Sequence, residues 1–230
     1  MWLVHDEDLP SHAFPRAAVV VALLVFLLVP GKIALSQDQG AGSEPVIRVE
    51  EDWGLVLNEP DDAVGSPQFH TVMSPVANLD SVYAQVLWNY REVPDFIAGG
   101  LELQMWDGEQ LLENKSGRED PLSRLVEVIR WTQVLEVRAE GLRFSIQDGQ
   151  SVSWGSFGPG LHVMVPGGPA DLNGYSPDLS VQNACITYGA NRVSALAIGC
   201  VRYYGQSGGL IATDATPRIV HSLNDDSGQE

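Results

Sequence analysis

From Pro45 onward the chain alternates between apolar and polar positions. Val46-Ile47-Arg48-Val49-Glu50 opens the pattern, and Trp53 to Leu57 carries it on. In Leu101 to Trp106, Leu101, Leu103 and Met105 share one side of an extended chain while Glu102, Gln104 and Trp106 share the other. That two-residue period is the signature of a half-buried strand. His70 to Met73, Tyr83 to Trp88, Ser151 to Trp154 and Leu161 to Val165 read as shorter strands. Turn-forming residues separate them, densest in Asn58 to Pro67 and in Pro166-Gly167-Gly168-Pro169, because Gly, Pro, Asn and Asp each suit a turn geometry.

The clearest hairpin runs from Val134 to Arg138, through Ala139-Glu140-Gly141, into Leu142 to Ile146. Leu142, Phe144 and Ile146 are expected to face inward, and Arg143, Ser145 and Gln147 to face water. Asp148-Gly149 then reads as another turn. Ala184 to Tyr188 and Ser194 to Tyr204, flanking Gly189-Ala190-Asn191-Arg192, form the expected last hairpin. One stretch supports two readings. Asp120-Pro121 followed by Leu122, Leu125, Val126 and Ile129 fits a capped amphipathic helix, whereas Val126, Val128, Ile129 and Trp131 favour strand. A helical turn at 121–125 leading into strand reconciles them. Many short strands at close spacing predict an all-β domain over 45–220, a sandwich or barrel of antiparallel strands.

Ahead of that domain, Arg16 precedes an apolar run, Ala17 to Val29, followed by Pro30-Gly31 and Ile33-Ala34-Leu35-Ser36. A positive residue, a short apolar core and small residues at −3 and −1 make residues 1–36 a hydrophobic signal helix cleaved before Gln37. An uncleaved membrane anchor is the alternative, and is the one route by which the chain would touch a membrane. The acidic start, His5-Asp6-Glu7-Asp8, is foreign to such a segment and points to a start further downstream. No cysteine follows the run, which excludes a lipid anchor at the mature end. Residues 37–44 read as a flexible leader and 221–230 as a disordered acidic tail. A secreted, periplasmic or cell-surface location follows.

Charge narrows the partners. The 230 residues carry a formal net charge of −17, which opposes nucleic acid and anionic lipid, since phosphate contacts need a basic surface. Two cysteines, Cys185 and Cys200, lie in the exported part. A disulfide and two separate buried thiols fit equally well, because only one register of the expected hairpin would make them face each other.

Trp131 to Val134, Leu142-Arg143-Phe144 and Ser153 to Gly158, together with Tyr188 to Val193, Leu196-Ala197-Ile198 and Val201-Arg202-Tyr203-Tyr204, resemble the jelly rolls of the concanavalin A-like and laminin-G-like class. More narrowly, the chain is similar to a set of exported bacterial proteins of no known activity. The resemblance covers about 45–220. It implies a two-sheet antiparallel jelly-roll sandwich in which the last long strand returns beside the first, Val46 to Val56. In that class carbohydrate is a common ligand, calcium often sits on loop carboxylates, and some members are retaining glucanases.

Each implied chemistry meets the residues present. A retaining glucanase carries Glu-x-Asp-x-x-Glu on one strand, placing two carboxylates about 5 Å apart. The nearest stretches, Val49-Glu50-Glu51-Asp52-Trp53 and Gly100-Leu101-Glu102-Leu103, lack that spacing and read as solvated strand faces. His70, His162 and His221 stand singly, without zinc-type spacing. For calcium, the loop pairs Asp61-Asp62 and Asp225-Asp226 lack the Asp-x-Asp-x-Asp-Gly order, so no cofactor is expected. Gly155-Ser156-Phe157-Gly158 approaches a nucleophile elbow, but Pro159-Gly160 breaks the helix that elbow needs. A sugar binder stacks aromatic rings on sugar faces. Among Trp53, Trp88, Trp106, Trp131 and Trp154, Trp106 lies on the polar side of its strand and is the candidate ligand-binding residue. The expectation is an exported, non-catalytic module that binds a glycan or surface polymer. A structural envelope or matrix protein is the alternative, and a polysaccharide hydrolase of the same fold the third reading.

Overall fold

Most of the expected strands form, but Ser151 to Trp154 is not one: the strand that reaches it ends at Ser151, and the next three residues turn the chain. The computed structural model describes residues 44–60, 63–90, 99–122 and 126–223. In chain order these hold β1 (Val46–Leu57), β2 (Gln68–Met73), β3 (Val82–Trp88), β4 (Leu101–Asp107), β5 (Gln110–Arg118), β6 (Glu127–Arg138), β7 (Gly141–Ser151), β8 (Gly155–Phe157) and β9 (His162–Val165). A short helix α1 (Pro177–Asn183) follows, then β10 (Cys185–Tyr188), β11 (Val193–Gly205), β12 (Leu210–Asp214) and β13 (Arg218–Ser222). They make two antiparallel sheets. One has eight strands in the order β12-β11-β1-β6-β7-β8, with β13 also on β11 and β9 also on β7; the other is β10-β2-β3-β4-β5. The signal segment, the leader through 43, most of the turn expected at 121–125, and the last seven residues lie outside the described residues.

The inward faces meet through indoles. Trp53 and Trp131 of the eight-stranded sheet stack at 5.9 Å, Trp131 meets Trp88 of the five-stranded sheet at 4.5 Å, and Trp88 lies 5.2 Å from Phe69. Leu55, Leu57, Leu103, Met105, Leu135 and Phe144 fill the space around them, all fully buried. Large aromatics and branched aliphatics supply this core because each removes much apolar area from water, about 25 cal/mol per Å². One polar residue ties its end. Asn89, buried with a φ of +60°, donates to the Pro67 carbonyl at 2.6 Å and accepts from the Leu122 amide at 2.9 Å. Asparagine tolerates that left-handed backbone better than most residues.

Several expectations hold. The hairpin of β6 and β7 turns through Ala139-Glu140, with Leu142, Phe144 and Ile146 facing inward. β11 returns beside β1 along nearly its whole length. Others are corrected. Ala184 to Tyr204 is not a hairpin: β10 joins β2 in the five-stranded sheet and β11 joins β1 in the eight-stranded one. Asp148-Gly149 does not turn the chain but bulges within β7, opposite Trp131, Asp148 taking a φ of +51°. Ser145 is buried rather than wet, and His221 and Ser222 continue β13 rather than beginning a tail. Strand β5, with every residue but its last exposed, and helix α1 were not foreseen.

Candidate functional site

On β1 the alternation places successive carboxylates on opposite sides of the eight-stranded sheet. Glu50 and Asp52 point outward, where Arg202 of β11 holds both: its Nε donates to Glu50 at 2.8 Å and its two terminal nitrogens to Asp52. Arg48 also donates to Glu50, Tyr204 donates its hydroxyl to Glu50 at 2.9 Å, and Thr132 donates to Asp52 at 2.8 Å. Burial works to raise the Glu50 pKa, but the bonds from Arg202, Arg48 and Tyr204 outweigh it and hold the carboxyl below its usual range. Bonding to Asp52 likewise raises Arg202. Held below its usual range, Glu50 is not a proton donor.

Glu51 has the opposite environment. It lies on the inward side with Val49, Trp53, Leu55 and Leu57, fully buried. The Trp53 indole donates to it at 2.8 Å and the Tyr175 hydroxyl donates to its other oxygen. Desolvation is the largest cause of a pKa raised to about 7, and Tyr175 is itself raised by burial and by Glu51. The sequence reading of Glu50 and Glu51 as solvated strand faces is therefore corrected. The signal was present, because Glu51 shares the parity of its buried neighbours. A general acid needs both a raised pKa and access to substrate. Here the raised carboxyl is sealed and the outward pair is neutralised by arginine.

Trp106 stands on the outer face of the five-stranded sheet, half-exposed, with Glu102 and Gln104 on its side of β4 as expected. The tight turn after Asp107, with Gly108 at a φ of +55°, folds β5 back so that Leu111, Asn114 and Ser116 lie opposite Trp106, Gln104 and Glu102. On the other flank Tyr83 lies opposite Trp106, its hydroxyl donating to the Gly108 carbonyl at 3.3 Å. One line of hydrogen bonds runs along β4. The Trp106 indole donates to Gln104 at 2.9 Å, Gln104 donates to Glu102 at 2.7 Å, and Asn114 and Ser116 donate to Glu102 at 3.3 Å each. The Glu102 carboxylate is the common acceptor and fixes every amide orientation in the line. An indole held in one orientation beside a row of amide and carboxylate edges suits a ring with one apolar face and a rim of hydroxyls. Sequence reasoning found Trp106 with Glu102 and Gln104 on its side, but missed Tyr83, Asn114 and Ser116, which only the β3-β4-β5 pairing brings beside it.

The remaining sequence candidates stay apart. Cys185 is exposed on β10 and Cys200 half-buried on β11, each a free thiol on a different sheet. The ring nitrogens of His162 and His221 meet the carbonyls of Gly160 and Val193. Among the described residues no three of His, Cys, Asp and Glu converge as a metal site; Asp61-Asp62 and Asp225-Asp226 lie outside them. Compared with protein-family models, curated proteins and solved structures, the chain matches none, so its chemistry is read from the two sheets and their faces alone.

Proposed function

We propose that this chain is an exported, non-catalytic β-sandwich module of the jelly-roll, concanavalin A-like kind that binds a glycan or surface polymer across the outer face of its five-stranded sheet. The observation that carries this reading is Trp106, half-exposed and oriented through Gln104 by Glu102. Export rests on the Arg16 to Ser36 segment. The non-catalytic part rests on the carboxylates: Glu50 and Asp52 are neutralised by Arg202, and Glu51, the one with acid character, is sealed in the core.

A pull-down of the chain on insoluble polysaccharides, with an array of soluble glycans beside it, tests the reading. Retention on at least one polymer, lost in Trp106→Ala, is the expected result. Failure to bind any polymer would sink it and favour a structural envelope or matrix role. Release of reducing ends from a bound polymer would favour the hydrolase reading instead.

A further inference from the structure

The register of the five-stranded sheet fixes what its outer face presents. Beside Glu102, Gln104 and Trp106 of β4 stand Leu87, Gln85 and Tyr83 of β3, and Ser116, Asn114 and Leu111 of β5. His70 and Val72 of β2 come next, opposite Leu87 and Gln85. None of these is lysine or arginine. Lys115 and Arg118 of β5 pair with Leu103 and Leu101, which face the core, so both lie on the other side of the strand. His70 stays neutral near neutral pH, because burial lowers its pKa. Glu102 is therefore the one charged side chain in these rows. Among the described residues it forms no ion pair, whereas Glu50 and Asp52 on the opposite sheet share Arg202.

The donors of this face are turned toward its own acceptors. The Trp106 indole is taken up by Gln104, the Tyr83 hydroxyl by the Gly108 carbonyl, and Gln104, Asn114 and Ser116 each donate to Glu102. A carboxylate accepts about four hydrogen bonds. Glu102 takes two on Oε1, from Gln104 and Asn114, and one on Oε2, from Ser116, so Oε2 keeps an acceptor position. All three donors are neutral: they fix the carboxylate and leave its charge uncancelled. Open to a ligand, then, are an ionised acceptor and two partly exposed rings, Trp106 and Tyr83, opposite each other on adjacent strands. An aromatic face attracts a cation through its quadrupole. Asp107 and Glu109, both exposed beyond Trp106, and the net charge of −17 give the surrounding field the same sign. An anionic glycan is opposed on each count, and a ligand that donates hydrogen bonds and carries positive charge is matched on each.

Glu102 and Trp106 are four residues apart on one strand, roughly 13 Å at the usual rise, too far for one sugar to meet both. We propose that the ligand of this face is a cationic glycan, a polymer of free amino sugars, with one ring stacked on Trp106 and the ammonium of a neighbouring sugar donating to Glu102. The proposal rests on the glycan reading above and names its ligand class. Its test uses the full chain with glucosamine oligosaccharides of one length, either N-acetylated or with free amines, in mildly acidic buffer where the amines are protonated. Polylysine is the comparison for charge alone. The free-amine oligomer is expected to bind about tenfold tighter than the acetylated one, the worth of one charged hydrogen bond, and the preference is expected to shrink as salt is raised. Glu102→Gln, with its thermal midpoint measured alongside, is expected to erase the preference. Equal affinity for the two oligomers, a comparison that needs no variant, would overturn the cationic assignment and leave the glycan reading standing. So would a preference that survives in folded Glu102→Gln. Binding of polylysine as tightly as the free-amine oligomer, indifferent to Trp106→Ala, would also overturn it, as attraction by charge without a sugar site. No binding to any glycan would overturn both.

Discussion

On the outer face of the eight-stranded sheet, Arg48, Glu50, Asp52, Arg202 and Tyr204 bond to one another until their charges are matched. On the outer face of the five-stranded sheet, Gln104, Asn114 and Ser116 point their donors at Glu102 and the Trp106 indole donates to Gln104, the indole staying partly exposed. Both faces are polar and both sit on the same core. The first is closed on itself, so it contributes to stability. The second orients an aromatic ring without covering it, so it offers a surface. Polar content alone does not distinguish a binding face from a structural one; what distinguishes them is whether the bonding leaves an oriented group open to solvent.

The largest effect that would sharpen this contrast comes from the back of the closed face. Glu51 in the folded chain has a pKa of about 7 against 4.5 for the free side chain. The folded state therefore binds the extra proton between those values, and the Glu51 contribution to stability is full below pH 4.5 and is lost as pH rises to 7. The loss is on the order of 3 kcal/mol. Glu50 and Asp214, lowered, act in the other direction at lower pH, losing their contribution as they protonate. His70, lowered mainly by burial, also opposes Glu51, because the unfolded chain binds its proton first as pH falls below 6.5. Denaturant unfolding of Glu51→Gln from pH 4.5 to 7.5 should show the fall replaced by a slight rise. A fall of unchanged size in the variant would contradict the assignment to Glu51.

Arg202→Ala is next in size. It strands Glu50 and Asp52 beside each other, and a loss of about 2–3 kcal/mol is expected from removing charged hydrogen bonds in a partly buried network. The midpoint in urea should drop accordingly, with glycan retention of the folded protein unchanged. Reduced retention by folded Arg202→Ala would mean that the closed face also contacts ligand. Gln104→Ala is smaller: about 1 kcal/mol in stability, with retention several-fold weaker because the Trp106 indole loses its orienting acceptor. Equal retention would show that the ring needs no orientation.

Strands that alternate were legible in the sequence, among them Leu101 to Trp106 and the Val134 to Ile146 hairpin, because one buried face imposes a two-residue period. β5 was not, since an edge strand exposed almost throughout has no buried face to write into its sequence. The split of β10 from β11 was hidden for another reason. Gly189, at a φ of +71°, and the single helical turn Ala190–Arg192 look like a hairpin turn but carry the chain from one sheet to the other. α1 is seven residues long and buries only Ser180, too little for a helical period to register. Of the candidate site, Trp106 and its same-side neighbours were readable from parity. Tyr83 and Asn114 come from strand pairing, which no single segment encodes.

The most direct test sets Trp106→Ala against Arg202→Ala on the same retained polysaccharide, with each variant's unfolding midpoint measured alongside. Trp106→Ala should lose at least tenfold in affinity with less than about 1 kcal/mol of stability, as a half-exposed side chain away from the core would, while Arg202→Ala loses stability and keeps its affinity. Affinity that follows stability in both variants, or survives without the indole, would contradict the assignment of the five-stranded face as the binding surface.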